Sequence, residues 1–264
     1  MEDPKMPLTE HLGELRKRII TSLVALLITF SICFGYSEYL FRFIMFPLNY
    51  ELDFSVKKMY FYFSQKDKLQ TTKLVFLAPT EAFWMSIKLS FVSGLILALP
   101  VVFHQLWKFV SPGLMPKEKK YAIPFILTTT FLFVIGSFFC FFIVLPFALS
   151  FLLSYNTGGV LMPMLSVGQY VDFCLKFILA FGVVFELPVL IFFLTRFGII
   201  TTDTLAKHRR YAILLAFILA AFLTPTPDAF NQTLMAIPIV LLYEVGIWIS
   251  KIFNKKTKGD TEEE

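Results

Sequence analysis

The residue best placed for unusual chemistry is Glu186, an acid inside a long apolar run. Phe185 and Leu187 flank it, and no other charged residue stands between Lys176 and Arg196. If this run crosses a membrane, the carboxylate lies near the middle of the bilayer, where a charge costs about 2.5 to 3.5 kcal/mol on insertion scales. An acid at that depth indicates a function, either as a proton carrier or as a polar anchor for water or a partner helix.

The sequence does not name a partner for Glu186. Asp172 and Lys176 are four residues apart on the same predicted helix, so they can pair with each other on one face. Glu186 is about 15 Å further along from Lys176, which is too far for a direct ion pair. Its partner must therefore come from another helix or from a hydrated cavity, and without one burial favours the neutral acid.

Two other acids, Glu14 and Glu118, stand among basic residues outside the apolar runs. Glu14 belongs to a segment with leucines at helical spacing, which predicts a helix along the membrane surface before the first span. Glu14 and Arg18 are spaced to form an exposed pair worth only a few tenths of a kcal/mol. Glu118 follows a Pro/Gly turn and is surrounded by lysines, as in an ordinary basic loop. The residue types alone favour plain solvated acids.

Catalytic motifs are missing from the sequence. It has no G-x-x-x-x-G-K-[ST] phosphate loop, no H-E-x-x-H motif and no G-x-S-x-G turn. Its histidines and cysteines are scattered, and Glu186 has no second acid at its depth for an aspartyl-protease pair. We therefore expect no enzymatic activity, no cofactor and no metal, and we attribute the basic pI to one membrane face rather than to nucleic-acid binding.

Composition assigns the chain to membrane proteins. Of its 264 residues 57% are hydrophobic and 16% are charged, against about 25% charged in soluble domains. We predict an all-α polytopic membrane protein with six transmembrane helices, the last two too short for about 30 Å of hydrocarbon. Prolines inside the spans predict a curved, cup-like bundle. The predicted spans are Ile19–Tyr39, Thr80–Trp107, Tyr121–Leu149, Val167–Leu194, Tyr211–Thr224 and Thr233–Ile249.

Lysine and arginine residues predict the orientation. Both ends of the chain and the second and fourth connections carry four each, whereas the third and fifth connections carry none. The positive-inside rule therefore puts both termini in the cytoplasm. Six lysine and arginine residues in the long first connection, about Phe41–Pro79, weaken this assignment of the termini without reversing it. The aromatic run at 59–63 predicts a short strand or an interfacial segment there. We expect one domain at 1–253 and a charged cytoplasmic tail at 254–264.

Four motifs in order resemble one family, TatC, the largest membrane subunit of twin-arginine protein translocases. The similarity runs from about residue 7 to residue 253, with six spans and both ends inside. The hairpin Thr-Pro-Thr-Pro-Asp is one residue longer than the commoner form, and the first connection is longer by about a dozen residues. The motifs are His-Leu-Gly-Glu-Leu-Arg-Lys-Arg (11–18), Phe-Val-Ser-Pro-Gly-Leu (109–114) with Glu118 following, Phe-Gly-Val-Val-Phe-Glu-Leu-Pro (181–188) and Thr-Pro-Thr-Pro-Asp-Ala-Phe-Asn-Gln-Thr (224–233).

The resemblance implies a receptor for signal peptides with paired arginines. By the match of these motifs, Glu14 and Glu118 are the acids expected to bind the arginines, and Arg16 and Phe109 are expected to shape the site. Carboxylates suit guanidinium groups, which bind them through two parallel hydrogen bonds as lysine cannot. Glu186 then corresponds to the mid-membrane acid of the family and is a supporting polar anchor.

The same resemblance implies partners and a location. The single-span subunits TatA and TatB would dock along the fifth and sixth spans, and Asp228, Gln232 and Pro47 match polar or structural positions near the outer side. The expected setting is the bacterial cytoplasmic membrane, with membrane lipid around a homo-oligomer that exports folded proteins with the proton-motive force. The alternative from another class is a proton-coupled small-molecule transporter using Glu186, although the sequence shows no repeat relating its halves.

Overall fold

Helices make up most of the computed structural model, which describes residues 8–55, 60–65, 74–111, 122–154, 164–224 and 228–259. The strands are β1 (Tyr50–Ser55), β2 (Tyr60–Gln65), β3 (Leu74–Val75) and β4 (Leu165–Ser166). The helices are α1 (Leu8–Gly35), α2 (Ser37–Ile44), α3 (Phe46–Asn49), α4 (Glu81–Val110), α5 (Ala122–Phe139), α6 (Leu145–Ser154), α7 (Val167–Val184), α8 (Leu187–Arg196), α9 (Thr202–Lys207), α10 (Arg209–Leu223) and α11 (Ala229–Gly259).

Within these ranges, five helical segments are long and apolar enough to cross a membrane. Each has at least 24 residues, so each is longer than the roughly 20 residues that hydrocarbon requires. The predicted class, an all-α polytopic membrane protein, is confirmed. The segments are Leu12–Gly35, Glu81–Val110, Ala122–Leu153, Val167–Arg196 and Ala229–Phe253.

The two last predicted spans differ in outcome. The fifth lies in α10, which has 15 residues and is short, as predicted. The sixth was expected to be short as well, and this is wrong, because α11 runs for 31 residues. The predicted span ends at Ile249 because the apolar run ends there, whereas the helix continues through the polar residues that follow. Helix length and apolar length are different quantities at a membrane boundary.

The N-terminal segment is also longer than expected. A separate surface helix was predicted before the first span, but α1 is one uninterrupted helix of 28 residues. No proline interrupts this segment, and Gly13, which a helix tolerates at a cost of about 1 kcal/mol, does not end it. Glu14, predicted as a site residue, therefore stands on the same continuous helix as the first membrane span.

The chain has two compact units, the first containing residues Met1–Arg42 and Phe83–Phe131. In this unit α1 approaches α4 closely at Gly94. The Thr29 hydroxyl donates to the Gly94 carbonyl over 2.8 Å, and a Cβ at Gly94 would lie 2.8 Å from the Phe30 nitrogen. Only a residue without a side chain permits this approach. Further along, Trp107 is buried against Phe125, with ring centroids 4.8 Å apart.

The second unit contains residues Phe43–Ala82 and Leu132–Glu264. Here α5 packs closely against α7. A Cβ added at Gly136 would clash with the Phe181 carbonyl, and one added at Gly182 would clash with the Phe133 ring. A π-helical turn, Cys140–Val144, then joins α5 to α6. Pro146 lies just after it, and its missing N–H and bulky ring disfavour regular α-helical bonding there.

The long first connection forms strands. Strand β1 pairs antiparallel with β2, from Tyr50 opposite Gln65 to Ser55 opposite Tyr60. Of the two alternatives left open for the aromatic run, the strand is therefore correct within the described residues. Strand β3 pairs in parallel with β4, which precedes α7. In the same unit, Tyr170 is buried and donates its hydroxyl to the Ile44 carbonyl.

Candidate functional site

The first unit brings Glu14 together with Arg18 and Gln105. One guanidinium nitrogen of Arg18 lies 2.6 Å from the Glu14 carboxylate, one turn away on α1. A second nitrogen donates to the Gln105 side-chain oxygen on α4 over 3.4 Å. The side chains of Arg18 and Glu14 are only 24% and 20% exposed. The expectation of an ordinary exposed pair is wrong, because Gln105 and the packing of α1 cover it.

The cluster contains an incompletely satisfied cation. The Nε atom of Arg18 is buried and makes no hydrogen bond within the described part of the chain. A guanidinium has five N–H donors, and a buried donor without an acceptor costs free energy. The Arg18 contacts are therefore strong at one nitrogen and weak or missing at others.

Phe109 lies one turn beyond Gln105 on α4, so the two share a helix face. It is half-buried, and it ends the regular part of α4 together with Val110. Glu118, the second predicted acid, falls outside the residues that the structure describes. The described cluster therefore offers one carboxylate, one amide and one aromatic ring near the end of α4.

Arg16 does not join this cluster. It is exposed, and at two residues from both Glu14 and Arg18 it points to a different side of α1. Sequence reasoning proposed Arg16 for the site and treated Arg18 as an incidental partner. The i, i+4 spacing of Glu14 and Arg18 was the available signal for Arg18.

Glu186 lies at a helix break in the second unit. Helix α7 ends at Val184 and α8 begins at Leu187, so the predicted continuous span is interrupted at the acid. Pro188 explains the break, because its ring would clash with the carbonyl of Val184 four residues earlier. The side chain of Glu186 is partly buried, and its Oε1 atom is buried without a hydrogen-bond partner among the described residues.

The remaining predicted site residues in the second unit have structural contacts. Asp228 accepts hydrogen bonds from the Asn231 backbone and side chain, and so caps the start of α11. Gln232 donates to the Phe217 carbonyl over 3.1 Å, joining α11 to α10. Pro47 is buried in the first turn of α3. These contacts explain the residue types without a ligand.

Sequence reasoning missed one ion pair. The Arg209 guanidinium meets the Glu244 carboxylate through two nitrogens, at 2.6 and 2.9 Å, and so connects the start of α10 with α11. One residue before Glu244, the Tyr243 hydroxyl donates to the Leu205 carbonyl on α9. The two residues of the pair are 35 positions apart, so no local spacing could have indicated it.

The described residues contain no group of three or more His, Cys, Asp or Glu side chains able to hold a metal ion. What the first unit offers chemically is recognition of a cation. A half-buried carboxylate already holding a guanidinium, with an amide and an aromatic ring on the adjacent helix, can bind a second guanidinium in its place.

Comparison with known proteins agrees with the four motifs. The family model described as Sec-independent protein translocase protein (TatC) matches residues 10–238. The protein of that name from Carboxydothermus hydrogenoformans is 42% identical over 256 residues, covering 97% of each chain. The one from Aquifex aeolicus is 41% identical over 254 residues, covering 96% of this chain and 98% of its own.

Solved structures agree as well. A crystal structure described as the twin arginine translocase receptor TatC in DDM superposes with a TM-score of 0.77 at 39% identity, covering 91% of this chain and 99% of that one. The resemblance drawn from the motifs is confirmed, and so is a multi-pass membrane protein. The chain belongs to the TatC family of Sec-independent protein translocase proteins.

Proposed function

We propose that this chain is the receptor subunit of a twin-arginine translocase, binding the paired arginines of signal peptides on folded cargo. The observation that carries the proposal is the placement of Glu14, whose carboxylate already holds a guanidinium at 2.6 Å in a half-buried setting. A carboxylate so placed suits arginine, whose planar group keeps its charge at all working pH values.

The proposed site consists of Glu14 and Glu118 as the acids, with Phe109 and Arg16 shaping it. Phe109 gives a ring on which a guanidinium or the apolar part of a signal peptide can pack. Two acids fit two arginines, and partial exclusion of water strengthens each charge-assisted hydrogen bond. We expect the receptor to favour a short, strongly cationic peptide segment.

The rest of the proposal follows from the family. The chain acts without enzymatic activity or cofactor, in the bacterial cytoplasmic membrane with both termini in the cytoplasm, and export uses the proton-motive force. TatA and TatB are its partners along α10 and α11, near Asp228 and Gln232, and copies of the chain associate within the complex. Pro47 supports the outer side by fixing the turn at α3. The division into a membrane domain at 1–253 and a tail at 254–264 remains a prediction.

Cross-linking of a synthetic twin-arginine signal peptide tests the proposal. The double variant Glu14→Ala with Glu118→Ala should lose the cross-link while the protein still inserts in the membrane. Asp203→Ala is the matched control, since it removes an exposed acid from the first turn of α9. Unchanged cross-linking in the double variant would remove these residues from the site.

A further inference from the structure

We propose that Arg18 is a built-in competitor for the signal peptide, occupying Glu14 until a guest arginine displaces it. This inference rests on the proposed function and adds an affinity-determining residue to its site. Arg18 presents to Glu14 the same chemical group as the guest, at 2.6 Å. The chain itself therefore already makes, within α1, the contact that a bound peptide would make.

The Arg18 contact is built to be displaced. Its Nε atom is buried without a partner in the described residues, and its hydrogen bond to Gln105 is long, at 3.4 Å. A guest that offers more hydrogen bonds to Glu14, or that lets Arg18 turn toward water, removes these deficits. Arg18 and Glu14 are each about one-fifth to one-quarter exposed, so a peptide can reach the pair from solvent.

The consequence is a lowered apparent affinity. A receptor whose binding-competent form is only a fraction of the population binds with a dissociation constant raised by the reciprocal of that fraction. The factor is the same for every guest that must open the pair. Arg18 therefore weakens binding of twin-arginine and twin-lysine peptides alike and leaves their ratio unchanged, while the acids and Phe109 set the preference for arginine.

Fluorescence anisotropy with labelled peptides and the full chain in lipid nanodiscs tests the inference. Arg18→Gln should lower the Kd of a twin-arginine peptide by about two- to fivefold, the upper part of the range measured for ion pairs near the surface. Arg18→Lys should give a smaller gain, because lysine keeps the charge but not the planar fork. A twin-lysine peptide should gain by the same factor as the twin-arginine peptide.

Lys17→Gln is the matched control, because it removes one exposed positive charge from the neighbouring position of α1. An equal gain in peptide affinity in both variants would mean that any lost positive charge on α1 strengthens attraction of the cationic peptide, and it would overturn the inference. Weaker binding in Arg18→Gln would also overturn it, since Arg18 would then be holding Glu14 in its working position. Melting temperature and membrane insertion of each variant identify any loss that comes from misfolding.

The variant Glu14→Ala separates this inference from the proposed function. If Glu14→Ala binds normally, Glu14 is not part of the receptor site and both ideas fail. If Glu14→Ala loses binding and Arg18→Gln shows no gain, only the competitor role fails. With Glu14 already replaced, adding Arg18→Gln should give no further gain, because Arg18 then has no Glu14 carboxylate to occupy.

Discussion

The hydroxyl of Ser166 donates to a carboxylate oxygen of Glu81 over 2.6 Å, although 85 residues separate the two. The second carboxylate oxygen of Glu81 accepts from the Leu77 backbone N–H at 2.9 Å. Ser166 also caps α7, accepting from the Gln169 backbone N–H. The bond lies beside the parallel pair of β3 and β4, so it fastens the long first connection to the start of α7.

Replacing Ser166 with alanine should lower the free energy of unfolding by about 1 kcal/mol, because α7 loses its cap and Glu81 loses a donor. Ser166→Thr keeps a hydroxyl and should recover most of that stability. Unfolding in detergent micelles, followed by helical circular dichroism, measures both. Equal stability of the alanine and threonine variants would show that the hydroxyl contributes nothing.

Replacing Gly94 with alanine should destabilise the packing of α1 on α4. The added Cβ would lie 2.8 and 2.9 Å from backbone atoms of Phe30, which cannot yield like a flexible side chain. A loss of about 1 to 3 kcal/mol is expected for such overpacking. Gly13→Ala is the control, because a Cβ there has no atom within 4 Å and the substitution replaces a glycine that weakens the helix. Thermal unfolding in detergent should therefore separate the two variants, and similar losses would contradict the close approach at Gly94.

The Arg209 and Glu244 pair should show a coupling energy in a double-mutant cycle. Its two parallel hydrogen bonds are favourable, but the side chains are 50% and 41% exposed, so we expect only about 0.5 to 1 kcal/mol. The cycle uses Arg209→Gln, Glu244→Gln and both together, measured by unfolding at low and high salt. The coupling should shrink at high salt because exposed charges are screened. Zero coupling at low salt would show that the pair does not stabilise α10 against α11.

Glu186 should tolerate glutamine better than leucine. Glutamine keeps a polar group at the break between α7 and α8, whereas leucine removes the polar group that would anchor water or a partner helix there. Export of a twin-arginine reporter protein should fall slightly in Glu186→Gln and strongly in Glu186→Leu. Equally severe loss in both would indicate that ionisation of Glu186 is needed.

Composition and periodicity were enough to predict the membrane class and the short α10, because these depend on local residue type. They failed where tertiary contacts decide. Trp107 is buried with Phe125 packed against it, and only the packed structure shows this contact. The end of α11 was misplaced because hydropathy does not report backbone hydrogen bonding.

The candidate site was predictable in part. Glu14 and Phe109 came from motifs, and the pairing of Glu14 with Arg18 came from helical spacing. Gln105 did not, because its contact with Arg18 spans 87 residues and depends on how α1 packs on α4. The family resemblance also assigned Arg16 to the site, whereas Arg18 is the residue turned toward Glu14 in the structure.

We propose that a signal peptide binds at Glu14 and Phe109. A map of the chain positions that cross-link to a bound peptide tests this directly. A synthetic peptide carries a photoreactive group beside its two arginines, and mass spectrometry identifies the chain positions it labels. We expect labels next to Glu14 on α1 and near Phe109 on α4, and we expect both to be lost when the arginines become alanines. Labels confined to the α7–α8 break around Glu186, with none at the other two positions, would contradict it.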